Sequence, residues 1–122
     1  MKQFRPLLTA ALALSTLASP VLADPPVIED VQLRQVGGNW TIAVTLSHPD
    51  TGWDHYADGW RVLSPTGEEL GVRVLHHPHV EEQPFTRSLS GVAIPEGLQE
   101  IQIEARDNKD GWFVHTKTVA LP

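Results

Sequence analysis

The segment His76-His77-Pro78-His79 places three of the chain's six histidines within four residues, and two glutamates follow it. Neutral imidazole is the commonest protein ligand for metal ions, and it normally titrates near neutral pH. Pro78 restricts the backbone of His77 and fixes its own φ, which keeps the segment near an extended geometry. Because residues two apart in an extended chain share a face, we expect His77 and His79 to project to one side. The segment therefore predicts a metal site or a proton-sensitive surface.

The rest of the chain predicts the scaffold that must position these histidines. Residues 40–47 and 98–105 alternate apolar and polar side chains, which is the period of a half-buried strand. Other short runs of strand-forming residues end at turn signals such as 64–67 and 95–97. We count seven strands, which predicts an all-β, antiparallel, immunoglobulin-like (fibronectin-III-like) β-sandwich. The chain has no cysteine, so an intersheet disulfide of the antibody type is not expected.

The first 23 residues read as a secretory signal peptide, because the basic residues Lys2 and Arg5 precede a short apolar stretch. Small residues before Asp24 predict cleavage after Ala23, and residues 24–122 would then form a single domain in the periplasm. Loss of Lys2 and Arg5 takes the formal net charge from −6 to −8. An acidic domain argues against nucleic-acid partners, and we expect no membrane insertion after cleavage. With no cysteine after the apolar run, no lipid anchor is expected either.

Antiparallel strand order brings the loops after the second, fourth and sixth strands to one end of the sandwich, which we call the loop pole. All six histidines are predicted to lie at or near this pole. A divalent ion such as Zn or Cu(II) needs three or four ligands, usually from separate loops. We expect His55, His77 and His79 to be the main ligands. The further candidates for the same site are Asp58, His76, Glu81 and His115, with Asp54 also weighed as a fourth ligand.

The composition also limits the chemistry. Without cysteine or an internal methionine, soft ligands for Cu(I) and iron–sulfur clusters are missing, and we expect no organic cofactor. Residues 107–111 lack the spacing of a calcium loop and read as a hairpin turn. No G-x-S-x-G or phosphate-binding loop occurs, so no catalytic residue is predicted. A small metal-dependent hydrolase is the lesser alternative to an accessory protein that binds a metal.

Two other interpretations of the loop pole stay open. Its histidines and carboxylates could form a structural network, with Arg87 pairing Glu82 or Asp58, because long loops need such bonds to be ordered. The pole could also dock a periplasmic protein partner through Trp53, Tyr56 and Arg87, since aromatic residues and Arg are favoured at interfaces.

The stretches W-D-H-Y-A-D-G-W and H-P-H-V-E-E-Q-P-F-T-R-S-L-S-G-V, between Trp53 and about Val92, resemble those of small exported proteobacterial proteins of unassigned function. This resemblance implies export on an immunoglobulin-like or fibronectin-III-like domain. It implies no particular activity.

Overall fold

The computed structural model describes residues 24–122 and the isolated residues 3, 10, 11 and 13. Apart from those four positions, the predicted signal peptide 1–23 lies outside the described residues. The described chain is all-β. Its strands are β1 Val27–Val36, β2 Asn39–Ser47, β3 Ala57–Leu63, β4 Glu69–Val74, β5 Phe85–Val92, β6 Glu100–Asp107, β7 Gly111–Trp112 and β8 Lys117–Ala120. No helix in this part of the chain is long and apolar enough to span a bilayer.

The strands form two antiparallel sheets. One sheet has the order β1-β2-β5, and the other has the order β4-β3-β6-β7, with β8 also paired to β6. Residues 112–121, which the sequence predicts as one last strand, are divided between two strands, because β7 pairs with the 106–107 end of β6 and β8 pairs with residues 100–103. This gives eight strands where the sequence predicts seven. The antiparallel all-β prediction is confirmed, and the two sheets are consistent with a β-sandwich.

One apolar core lies between the sheets. The core contains Ile42, Val44 and Leu46 from the first sheet. Trp60 and Ile103 are among its residues from the second sheet. All five side chains are buried, and the alternation of residues 40–47 and 98–105 predicts this for the four of them outside β3. Burial of a large apolar side chain contributes about 1.5–3 kcal/mol, so this core is a rigid support for the loops at its ends.

Three loops meet at the loop pole, namely residues 48–56, 75–84 and 108–110. The backbone N–H of His48 donates to Gln83 Oε1 at 3.0 Å, which joins the first loop to the second. The N–H of Tyr56 donates to Asn108 Oδ1 at 2.9 Å, which joins the first loop to the third. These bonds hold the loops of the pole against one another.

Candidate metal centre

Two inward-facing rows of side chains continue past the ends of their strands and bring polar groups into the interior. On β2, the buried row Ile42, Val44 and Leu46 continues in phase to His48, and Asp50 is buried just beyond it. On β6, the buried row Ile101, Ile103 and Ala105 ends at Asp107. The period that buries the core therefore also buries a histidine and two carboxylates at the loop pole.

His55 reaches the same place from a tight turn in the loop 48–56. His55 donates its N–H to the Gly52 carbonyl at 3.2 Å, and its own carbonyl accepts from the Thr51 N–H at 3.0 Å. Gly52 has a φ of 146°, a backbone conformation that residues other than glycine rarely adopt. This turn directs the His55 ring inward, where it meets the His48 ring edge-on with 4.8 Å between centroids.

His48, His55 and Asp107 form the one group of three metal-ligating residues found within the described part of the chain. One ligating atom from each lies within 4.8 Å of the others. Asp107 Oδ2 is 3.1 Å from His55 Nε2 and 3.5 Å from His48 Nε2. The ligands of a tetrahedral ion bound at about 2.0–2.1 Å are separated by about 3.3 Å, so the two spacings to Asp107 Oδ2 fit a zinc-sized ion, and the wider span of the group, up to 4.8 Å, would have to close around it.

Asp50 fixes the chemical state of His48. The Nδ1 of His48 lies 2.5 Å from Asp50 Oδ1, so Nδ1–H donates to the carboxylate. In the neutral ring Nε2 then carries the lone pair, and it has no hydrogen-bond partner although it is buried. A carboxylate on the far nitrogen of a metal-ligating histidine is the usual outer-shell arrangement.

The Nε2 lone pair of His48 faces Asp107 Oδ2, and two acceptors so placed need a cation between them. The side chains of His48, Asp50 and Asp107 have no exposed surface, and that of His55 is 15 % exposed. A buried carboxylate is costly unless it is paired. A divalent ion bound to Nε2 and Oδ2 would neutralise the charge of both carboxylates. Protonation of the two imidazoles is the alternative source of positive charge.

Asp107 is held in its ionised form. Burial raises the pKa of its carboxyl, but N–H donors outweigh that effect and leave the pKa below its usual value. Those donors are the backbone N–H groups of Asp110 and Lys109, at 2.6 and 2.9 Å from Oδ1, together with the His55 ring. Since these backbone bonds use Oδ1, Oδ2 stays directed at the two histidines.

His77 and His79, which the sequence predicts as ligands together with His55, lie outside this group. Their rings are 4.6 Å apart, His77 is exposed and His79 is buried. The His79 ring stacks on Phe85 at 3.8 Å, and its Nε2 accepts from Arg87 Nη2 at 2.9 Å. Nε2 is therefore already occupied by a cationic donor, and Nδ1, which then carries the proton of the neutral ring, is buried without a hydrogen-bond partner.

The other predicted ligands are also absent from the group. Asp58 lies on β3, where it accepts from Arg106 Nε at 2.9 Å. His76 and Glu81 are exposed, and His115 is exposed between β7 and β8. Because their side chains are exposed, these three residues do not reach the buried ligand group at the end of the core.

Two of the three predicted partner-binding residues, Trp53 and Tyr56, flank His55 in the chain. Trp53 is 68 % exposed and packs edge-on against Tyr56 at 5.7 Å. Asn108 Nδ2 donates to the Trp53 carbonyl at 3.1 Å, which fixes this corner. Arg87 lies apart from them beside His79, and its Nη2 is 3.6 Å from Glu82 Oε2. Of the two partners weighed for Arg87, the structure pairs it with Glu82.

Sequence reasoning placed His48 and Asp107 at the loop pole but missed them as ligands. The signal was present, because both continue the alternating apolar rows of their strands and were therefore due to point inward. A polar residue in phase with a buried row needs a buried partner.

The comparisons with known proteins show a similarity to an archaeal protein. No protein-family model and no solved structure matches this chain. Over 86 residues the chain is 40% identical to a protein of Halomicrobium mukohataei named "Putative lipoprotein". The match covers 70% of this chain and 42% of the relative, so the chain spans less than half of that protein. The resemblance to proteobacterial proteins stays a prediction, since this relative comes from a halophilic archaeon.

Proposed function

We propose that this chain is an exported accessory protein that binds a divalent transition metal ion through His48, His55 and Asp107. The observation that carries the proposal is the buried Nε2 of His48, which has no hydrogen-bond partner and lies 3.5 Å from Asp107 Oδ2. His48 Nε2 and Asp107 Oδ2 are both placed to coordinate one ion, and metal binding would replace the proton that His55 Nε2 donates to the same oxygen.

Zinc and Cu(II) both suit this ligand set chemically, since imidazole nitrogen and carboxylate oxygen bind either ion. The separations of 3.1 and 3.5 Å from Asp107 Oδ2 lie close to the edge of a zinc tetrahedron, whereas the ligating atoms of the whole group span up to 4.8 Å. A square-planar Cu(II) ion would bring neighbouring ligands to about 2.8 Å. Cu(II) nevertheless binds most nitrogen and oxygen sites more tightly than zinc does, so both ions belong in the test.

Export is supported by the signal-peptide pattern of residues 1–23 and by the name of the haloarchaeal relative, since lipoproteins are exported proteins of the cell envelope. The periplasm, which the signal-peptide pattern predicts, is the compartment that we propose for this chain. The sheet orders β1-β2-β5 and β4-β3-β6 also support the finer fold assignment, an immunoglobulin-like or fibronectin-III-like sandwich.

The test is a zinc and Cu(II) titration of the protein without a His tag. We expect one equivalent of zinc with submicromolar affinity, weakened more than about 100-fold by His48→Ala or His55→Ala, since a lost ligand costs more than a lost outer-shell partner. His55 is half-buried and its replacement threatens the fold least. The matched control is His77→Ala, which removes an exposed histidine and should leave the affinity unchanged. Wild-type affinity in both ligand variants would exclude this centre.

A non-catalytic adaptor is the second function, favoured by the exposed Trp53 that Asn108 holds at the corner beside His55. In that case a periplasmic partner would be captured equally well by chelator-treated protein and lost in Trp53→Ala. A metal-dependent hydrolase is the lesser alternative, and zinc-dependent ester or phosphoester cleavage lost in His48→Ala would favour it over both.

A further inference from the structure

The loop 75–84 is attached to the candidate metal centre on the side of His48 Nδ1, the ring nitrogen that does not face Asp107. Its attachment involves two side chains, Asp50 and Gln83, and neither belongs to the ligand group. Both of them connect His48, which is a proposed ligand, with His79, which is not.

Asp50 joins the two histidines through its two oxygens. Its Oδ1 accepts from His48 Nδ1 and from the Ala57 N–H at 2.9 Å, whereas its Oδ2 accepts the backbone N–H of His79 at 2.8 Å. The carboxylate is fully buried. Any rotation that releases His79 would therefore also disturb the bond that orients the His48 ring.

Gln83 makes a parallel connection. Its Oε1 accepts the His48 N–H at 3.0 Å, and its Nε2 donates to the His79 carbonyl at 2.8 Å. The stack of His79 on Phe85 and the bond from Arg87 hold the same loop against the start of β5. The docked loop and the orientation of His48 thus share one set of contacts.

We propose that the loop 75–84 is a latch that regulates the metal centre, with Asp50 as the positioning residue between them. The proposal rests on the proposed function. While the latch is docked, Asp50 presents the Nε2 lone pair of His48 to the metal. Displacement of the loop withdraws the His79 N–H, frees Asp50 to rotate and weakens metal binding, so that an event at the exposed side of the loop controls release.

Linkage requires the reverse effect as well. If the docked loop favours metal binding, bound metal must favour the docked loop by the same factor. The amide hydrogen of His79, which is bonded to Asp50, should therefore exchange more slowly with solvent when zinc is present.

We expect Asp50→Asn to open the latch. The amide NH2 of the new side chain faces either the His79 N–H or the His48 Nδ1–H, and it cannot accept a hydrogen bond as the carboxylate oxygen does. We expect zinc affinity to fall about 10–100-fold, as for other outer-shell partners. Gln83→Ala removes the parallel connection without touching Asp50, and the loss of its bonds should weaken zinc about 3–10-fold. Gln35→Ala on the exposed face of β1 is the matched control, with no change expected.

The tautomer of His48 distinguishes a positioning role of Asp50 from a merely structural one. It is measured by the ¹⁵N chemical shifts of the His48 ring in the metal-free protein. Wild type should show Nδ1–H alone, and Asp50→Asn a mixture. Unchanged shifts and unchanged zinc affinity in both latch variants would overturn the latch, as would equal exchange of the His79 amide with and without zinc. Absence of zinc binding in wild type would instead overturn the metal centre, even if the Nδ1–H tautomer is found.

Discussion

His48 and His55 face a carboxylate, whereas His79 faces a guanidinium, although all three lie in loops that contact each other. In the first cluster, Asp107 Oδ2 lies within 3.5 Å of both imidazoles. In the second, Arg87 Nη2 donates to His79 Nε2 and no carboxylate is bonded to the ring. The first cluster is therefore built around a carboxylate, and the second around a cationic side chain.

This difference shows that the number of histidines does not by itself mark a metal site. The segment 76–79 has three histidines in a row, yet its buried ring is committed to Arg87 and Phe85. The ligand group takes its histidines from a different loop and its negative charge from β6. Whether a histidine can bind a metal depends on the charge of its neighbours. A carboxylate beside the ring favours a bound cation, whereas a guanidinium that donates to the ring nitrogen uses the lone pair that the metal needs.

The largest expected effect is on stability in the presence of zinc. At a zinc concentration 100 times Kd, wild type should gain about 2.7 kcal/mol, because the ion binds only the folded state. For a domain of this size that raises Tm by roughly 10–20 °C. Asp107→Asn should lose nearly all of this gain, because the carboxylate charge is what the ion neutralises. Scanning calorimetry with and without zinc measures it, and His77→Ala is the control. A full zinc-induced shift in Asp107→Asn would contradict the distinction between the clusters.

An effect of intermediate size is expected on the pH dependence of the metal-free protein. Burial, and then the charges of Arg87 and His77, lower the pKa of His79 below 6.5 in the folded state, against the weaker opposite influence of Glu82 and Asp50. The unfolded chain therefore takes up a proton first. The contribution of His79 to stability is complete above pH 6.5 and is lost as pH falls from there to the lowered pKa.

Urea unfolding in chelator at a series of pH values measures this effect. His79→Gln, which keeps an acceptor for Arg87, should decline less between pH 7.5 and 5 than wild type. His76→Gln, an exposed replacement, should follow wild type. An identical decline in His79→Gln would show that His79 is not held neutral.

The smallest effect is expected when the cation of the second cluster is removed. Arg87→Met should free His79 Nε2 beside the ring of His77 and create a second, weaker zinc equivalent, while the first equivalent keeps its affinity. Isothermal titration resolves the two steps, and Arg34→Met on β1 is the control. A single unchanged equivalent would mean that Arg87 does not exclude metal from this cluster.

Most of the scaffold follows from the period of the sequence. The alternation in residues 40–47 and 98–105 locates β2 and β6, and turn signals locate most of the other strands. Two details do not follow. The polar residues 48–58 predict a loop, yet β3 begins at Ala57, and the last predicted strand breaks between Trp112 and Lys117. Both depend on which backbone groups of β6 are available for pairing, which local pattern does not encode.

By itself, the sequence determined that strands alternate and that histidine-bearing loops gather at one pole, because side-chain direction along a strand is a local property. The tertiary structure decided which histidines meet. His48 meets Asp107 because β2 and β6 belong to opposite sheets whose inward rows end at the same depth, and His55 joins them through a turn. His79 is directed elsewhere by Asp50, Phe85 and Arg87. These are contacts between residues far apart in the chain, and only packing brings them together.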